Sequence, residues 1–320
     1  MDMTAMAFDS FVQALSPVGK MGLVILAALA AASGGVALLR RMRPGKDYSE
    51  LSARVWSWWI MAGIFLTVLA LGNKIALVFF AFLSFWALKE YLTLLKTRRA
   101  DHRALVLSFL ALPAQYYLIA IGWYGMFIIF IPVYVFLCLP AILALSRETS
   151  GFVASASQIQ WGLMTFIFGL SHSGFLLLFP ASEGSSADGR SMLLFLVFVV
   201  ELSDVLQYLW GKTIGRRPVL PAVSPNKTWE GLIGGVACAT LLSLPIRFLT
   251  PFSAPETAGV SLLITLAGFF GGAVMSAVKR DFGVKDFGSL IPGHGGVIDR
   301  LDSLCYATPI FFHYVRYFHY

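Results

Sequence analysis

Charge is what this sequence has least of. Asp, Glu, Lys and Arg together make up 13% of its 320 residues, about half the share a water-soluble globular domain carries. A soluble fold of this length could not cover its surface with so few charges. Intrinsic disorder, which needs a polar or highly charged chain, is excluded by the same shortage. Cysteine is scarce too. Cys138, Cys238 and Cys305 stand far apart in apolar surroundings and no C-x-x-C pair occurs, so neither a disulfide framework nor a zinc site is implied. The three thiols are expected to be small buried apolar residues. Internal repeats, low-complexity tracts and a cleavable leader peptide are absent from the expected organisation. What fills the chain is hydrophobic, 58% of it. The net charge of +7 therefore points first to a membrane leaflet or an anionic substrate, ahead of nucleic acid.

A membrane span needs about 20 mostly apolar residues. About ten such runs are present, near 18–39, 56–72, 74–95, 104–121, 123–145, 159–180, 191–210, 230–250, 259–278 and 303–319. Lipid offers no partner to an open backbone, so each must be helical. The expected fold is all-α: a polytopic transmembrane helical bundle of about ten helices. It divides into N-terminal transmembrane helices (1–158) and a C-terminal transmembrane catalytic region with cytoplasmic signature loops (159–320), with no room for a separate soluble domain. Lys and Arg gather after the first, third, seventh and ninth runs, as in Arg40, Arg41, Arg43, Lys46 and Arg54. The positive-inside rule puts those loops in the cytoplasm and both termini outside.

Three polar stretches exceed what topology requires. Glu201 and Asp204 lie three residues apart on one helix face inside the seventh run. A carboxylate at that depth faces a partner or a water-filled cavity, so metal or substrate binding stands beside a structural ion pair. In Ser224-Pro225-Asn226-Lys227-Thr228, Ser224 is expected to cap a helix beginning at Pro225. Lys227 and Thr228 would then sit at a helix N-terminus suited to phosphate, or simply start an ordinary capped helix. The third stretch runs from Ser276 to Asp302. Lys279, Arg280 and Lys285 suit phosphoryl oxygens. Gly293, Gly295 and Gly296 allow sharp turns and close approach. Asp299 and Asp302 share a helix face suited to oxygen-ligated Mg²⁺. His294 could contact phosphate or orient a carboxylate. The physical reading is a polyphosphate and metal site at the cytoplasmic rim; the bland one is a basic topology loop with flexible glycines.

Those 27 residues resemble the signature of the phosphatidate cytidylyltransferases, or CDP-diacylglycerol synthases, at every fixed position: Ser276, Lys279-Arg280, Lys285-Asp286, Gly288, Ile291-Pro292, His294-Gly295-Gly296, Asp299-Arg300 and Asp302. Asp204, Tyr208, Gly211, Gly215 and Ser224 to Gly231 are similar to the family's two upstream elements. The resemblance covers roughly residues 195–305. It implies an integral membrane enzyme, often a homodimer, that condenses CTP with phosphatidate to CDP-diacylglycerol and pyrophosphate in phospholipid biosynthesis, using Mg²⁺, with a monovalent cation such as K⁺ as a second candidate cofactor. It implies catalytic roles for Asp299, Lys279, Arg280, Lys285 and His294, and substrate contacts from Ser224, Lys227, Thr228, Ser276, Gly295, Gly296 and Arg300. The metal would rest on Asp299, helped by Asp204 or Asp302.

One position departs from the pattern. Where the family carries an Asp four residues before the signature serine, this chain has Gly272. Asp204, Asp286 or Asp302 would have to complete the metal shell, or the chain is a divergent paralogue with weak activity or another lipid phosphate as substrate. Two further readings are a CTP-dependent lipid kinase of the polyprenol or phytol type and a transporter lined by midspan polar residues. His172, between Ser171 and Ser173, is the candidate for such a lining, with an interhelical hydrogen bond as its plainer role. The expected location is a bacterial inner membrane, multi-pass, with a cytoplasmic active site.

Overall fold

The computed structural model describes residues 15–45, 47–146, 148–181, 186–291 and 295–320. Lys46, Gly293 and His294 lie outside the described residues. Among the described residues ten helical rods follow one another: α1 (Pro17–Met42), α2 (Ser49–Leu71), α3 (Asn73–Leu94), α4 (Arg99–Ala120), α5 (Tyr124–Ala144), α6 (152–176), α7 (Gly189–Ile214), α8 (Trp229–Leu249), α9 (Ala254–Asp281) and α10 (Ile298–Phe318). Eight of them are long and apolar enough to cross a membrane; α6 and α10 fall short of that measure. The protein is an all-α integral membrane bundle. Its only sheet among the described residues is a two-stranded antiparallel ribbon, β1 (Pro218–Leu220) with β2 (Ser224–Thr228).

Local chemistry sets the helix ends. Ser16 Oγ accepts from Gly19 N–H at 3.2 Å and Pro17 opens α1, a capped start with proline where its missing N–H costs nothing. Ser253 and Glu256 form a capping box on α9. Asp188 caps α7 by accepting from Ser191 N–H at 3.0 Å. Burial alone would raise the Asp188 carboxyl, but the Ser191 and Arg190 hydrogen bonds hold it below the usual carboxylate range. Within α5, Pro132 lacks the N–H that an α-helix needs, and the turn Phe130–Val135 widens into a π-helix there.

Packing divides the bundle. Helices α7, α8, α9 and α10 pack closely on one another, and α10 also leans on α6. Phe127, Phe166, Phe195, Phe311 and Phe312 are fully buried at the centre. Glycines let α7 and α8 touch: a Cβ on Gly231 would come within 2.8 Å of Gln207 O, and one on Gly234 within 2.7 Å of the Trp210 ring. By contrast only 6% of the most apolar stretch of α1 is buried within the protein, against 61% for α9. The bare faces of α1 and α2 are apolar, as lipid contact requires.

Four expectations are corrected. Ser224 does not cap a helix; it opens strand β2, since a residue before proline is pushed to extended backbone, and the cap is Thr228, whose Oγ1 accepts from Gly231 N–H at 3.1 Å. Arg54 is not in a loop: α2 begins at Ser49 because its first turns carry a Glu50–Arg54 pair that a hydropathy run does not register. His172 donates from Nδ1 to Phe168 O of its own helix at 2.7 Å, not across helices. It is enclosed by the rings of Phe127, Phe168, Phe312 and His313. Of the thiols only Cys305 is buried; Cys238 is half-buried and Cys138 is exposed, on a face of α5 where an apolar surround suits a thiol.

Candidate active site

A cavity of about 950 Å³ opens where α7, α9, α10 and the segment before α10 converge. From α7 it takes Glu201, Asp204 and Tyr208; from β2 and the start of α8, Lys227, Thr228 and Gly231. Gly272 of α9, Lys285 and Asp286 of the following loop, and Gly295, Asp299, Arg300 and Asp302 complete its polar wall. The opposite wall is α2, through Glu50, Arg54, Leu51, Val55 and Trp58. Ten of the candidate residues singled out from the sequence therefore line one space: Glu201, Asp204, Lys227, Thr228, Lys285, Asp286, Gly295, Asp299, Arg300 and Asp302.

The acidic groups fall into two kinds. Asp299 is buried and fully engaged. Its Oδ1 accepts from Lys279 Nζ at 2.8 Å, and its Oδ2 from the backbone N–H of Phe287 and of Gly296, both at 2.9 Å. It thereby ties the last turn of α9 to the loop and to the start of α10. Gly295 sits against this carboxylate at φ +81°, where a Cβ would lie 2.7 Å from Asp299 Oδ2, so both backbone and space demand glycine. Asp204 and Asp302 are arranged otherwise. Ser303 joins them, giving its Oγ–H to Asp204 Oδ2 at 2.7 Å and its N–H to Asp302 Oδ1 at 2.7 Å. Among the described residues neither has an ion-pair partner within 4 Å, and Asp204 Oδ1 and Asp302 Oδ2 have no protein hydrogen bond.

Among the described residues no three His, Cys, Asp or Glu side chains gather closely enough to hold a metal alone. Asp299, Asp204 and Asp302 are thus not drawn into one three-ligand group. The two open carboxylate oxygens nonetheless suit Mg²⁺, a hard cation bound by one or two carboxylates with substrate phosphates and water supplying the rest. The Asp299 oxygens, already held by an ammonium and two amides, suit it less.

The cations divide in the same way. Lys227, Lys285 and Arg300 face the cavity, and Arg300 Nε is a buried N–H with no partner among the described residues. Lys279 is committed to Asp299. Arg280 points elsewhere, its Nε reaching Val223 O at 3.4 Å beside the ribbon. Ser276 turns its Oγ back to Gly272 O of its own helix at 2.7 Å. Ser224 stands at the head of β2 and does not line the cavity. Gly296 contributes its N–H to Asp299 and lies against Glu90. At Gly272 a Cβ would stand 2.8 Å from Lys227 Nζ, 3.6 Å from Ser303 Oγ and 3.7 Å from Asp302 Oδ2. The ammonium of Lys227 occupies the space that a side chain here would claim, and it lies 4.9 Å from the centre of the Phe269 ring.

Two contributors escape the sequence motifs. Ser303 follows the last signature residue and couples the open carboxylates. Glu90, on α3, accepts from the N–H of Val297 and of Ile298, both at 3.0 Å. The available signal for Glu90 was an acidic residue within an apolar run, the same one that singled out Glu201 and Asp204.

The profile of the cytidylyltransferase family matches residues 52–318. The chain belongs to the cytidylyltransferase family. It is 42% identical over 275 residues to a protein of Escherichia coli strain K12 titled uncharacterized protein YnbB, covering 86% of this chain and 90% of that one. It is 30% identical over 257 residues to the phosphatidate cytidylyltransferase of Staphylococcus aureus strain COL, covering 77% of this chain and 92% of that enzyme. A match of the same identity extends over 259 residues of the phosphatidate cytidylyltransferase of Staphylococcus saprophyticus. The family match begins within α2, so the wall carrying Arg54 and Trp58 falls inside it, and so does Glu90.

Proposed function

We propose that this protein condenses CTP with phosphatidate, forming CDP-diacylglycerol and releasing pyrophosphate, from the cytoplasmic side of a bacterial inner membrane. The observation that carries the reading is the Asp204–Asp302 pair, two carboxylates with open oxygens sharing one cavity with Lys227, Lys285 and an Arg300 whose Nε–H lacks a partner among the described residues. Two polyanions must meet here, and their repulsion is the main obstacle. Lys227, Lys285 and Arg300 offset it by taking phosphoryl oxygens, and holding both substrates in line supplies much of the rate. A phosphate oxygen of phosphatidate bonds to the α-phosphorus of CTP as the bond to the bridging oxygen breaks, and that electron pair leaves on pyrophosphate. The attacking group is already an anion, so no side chain need remove a proton from it.

Asp204 and Asp302 would hold Mg²⁺, which when bound neutralises charge on the phosphates. Lys279 acts indirectly, by fixing Asp299 and so the segment that carries Arg300 and Asp302. Leu51, Val55 and Trp58 give the cavity an apolar side facing α2, a route by which the acyl chains stay in lipid while the headgroup reaches the cations. Similarity to two staphylococcal phosphatidate cytidylyltransferases and the basic loops support the assignment of substrate and side.

The test is product analysis with purified protein, Mg²⁺, a panel of lipid phosphates and lipid alcohols such as polyprenol and phytol, and CTP labelled at the α- or γ-phosphate. The α-label should enter the lipid and the γ-label should leave as pyrophosphate. Transfer of the γ-label to lipid, with release of CDP, would establish a kinase instead. The absence of either product from every lipid on the panel would reject the reading.

A further inference from the structure

Glu90 lies far from every motif in the sequence, on the half of the chain that bears no signature, yet its carboxylate lies against Gly288 and Gly296 of the signature segment. Its two oxygens each accept one backbone N–H from the start of α10, Val297 to Oε1 and Ile298 to Oε2, both at 3.0 Å and across more than 200 residues of chain. The side chain is buried, and among the described residues no cation pairs with it. The first amides of a helix have no partner within the helix and carry the positive end of its dipole, so a buried carboxylate is stable there without a counterion. A residue of α3 thus caps α10, a helix that has no capping side chain of its own among the described residues.

The loop side is shaped to this carboxylate. A Cβ on Gly288 would come within 2.7 Å of Glu90 Oε1, and one on Gly296 within 2.6 Å of Oε2. The peptide of Gly296 is held from the other side, its N–H donating to Asp299 Oδ2. Two buried carboxylates therefore grip one short segment. Asp299 takes the amides of Phe287 and Gly296; Glu90 takes those of Val297 and Ile298. Arg300 and Asp302, which face the cavity, follow within one turn. Their direction relative to Asp204 and Lys227 is set by where α10 starts, and Glu90 fixes that start.

We propose that Glu90 is a positioning residue for the nucleotide and metal site. It acts through the first amides of α10 to hold Arg300 and Asp302 at the cavity and makes no contact with substrate itself. This rests on the cytidylyltransferase reading above and goes beyond the signature by assigning the N-terminal half of the chain a part in the chemistry.

The test uses full-length protein in detergent or nanodiscs. Glu90→Gln leaves one good acceptor and sets an NH₂ against the other backbone N–H. It should lower kcat per folded molecule at least tenfold and raise the Mg²⁺ concentration for half-maximal activity, with a thermal midpoint a few degrees below wild type for the one buried amide left unpaired. Glu90→Asp, which keeps the charge on a shorter arm, should recover part of the loss. Lys89→Ala, an exposed neighbour, should leave kcat and the Mg²⁺ requirement unchanged. A Glu90→Gln protein that is less stable but turns over within twofold of wild type at the same Mg²⁺ requirement overturns the proposal. If Glu90→Gln does not fold, Gly288→Ala presses on the same carboxylate from the loop: a tenfold loss supports the proposal and unchanged turnover overturns it. Should wild type make no CDP-lipid, the function assigned above fails separately. The role of Glu90 is then decided by calorimetric binding of Mg²⁺-CTP, tenfold weaker binding by Glu90→Gln supporting it and equal binding refuting it.

Discussion

The Asp299 end of the cavity and the Asp204–Asp302 end carry the same chemical group in opposite states. Asp299 is saturated by Lys279 and two amides. Asp302, one turn along α10 from Asp299, and Asp204, on α7, keep oxygens open toward the cavity and among the described residues share only a serine. A buried charge that has all its partners is a structural fastening; one that lacks them is stable only beside water, a metal or a ligand. The difference separates architecture from chemistry within one signature and predicts two kinds of damage.

The largest effect is expected at the closed end. Asp299→Ala leaves the mostly buried Lys279 ammonium uncompensated and frees two amides, a loss of about 3–5 kcal/mol. Activity should vanish together with folding, read as loss of a cooperative thermal transition and of monodisperse protein in detergent. A well-folded Asp299→Ala protein that is merely inactive would break the comparison, because Asp299 would then belong with the chemical carboxylates.

The open end should respond the other way. Asp204→Asn and Asp302→Asn remove charge that no cation among the described residues pairs within 4 Å. The thermal midpoint should hold or rise, while turnover falls on the order of 10²–10³-fold. Mg²⁺ titration of the residual activity should shift to higher concentration. Activity within threefold of wild type in both variants would remove these residues from the metal site.

A smaller effect sharpens the boundary between the two ends. Gly272→Asp places a carboxylate where Lys227 Nζ now stands. The lysine side chain is flexible and can yield, but the pair that forms draws its ammonium away from a bound phosphate. The expected change is a loss of roughly tenfold in turnover, the size of one charge-assisted hydrogen bond, with the fold intact. A large gain in turnover would instead show that the glycine is a degenerate position and that Lys227 is not serving a phosphate.

The ten rods and the polar face of α7 were legible because lipid leaves little choice of backbone and because a carboxylate in an apolar run stands out. The signature was legible as a unit but not in its inner division. Spacing does not tell that Ser276 turns back on its own helix, that Arg280 faces the ribbon, or that Asp299 is closed while Asp302 is open. Those depend on which neighbours a fold brings from other helices. Glu90 is the clearest case: its partners are two backbone amides more than 200 residues away, and amides have no sequence pattern. Ser224 failed for a local reason, since Pro225 made the preceding residue extended and moved the cap to Thr228.

The mildest prediction concerns Asp188, outside the cavity at the opposite end of α7 from the site. Its carboxyl is held below the ordinary range by Ser191 and Arg190 against the effect of burial. Because the folded value is depressed, its stabilisation is complete above the unfolded value near 3.9 and is lost as pH falls through the lower folded value. Asp188→Asn keeps an acceptor for Ser191 and loses only the charge, so its cost at pH 7 should be about 1 kcal/mol or less, a shift of about 2 °C. The gap between variant and wild type should close on acidification toward pH 3, and turnover at pH 7 should match wild type. A reduced turnover would mean that the far end of α7 is coupled to Asp204. The sharp contrast between structural and chemical carboxylates would then extend along the whole helix instead of ending at the cavity.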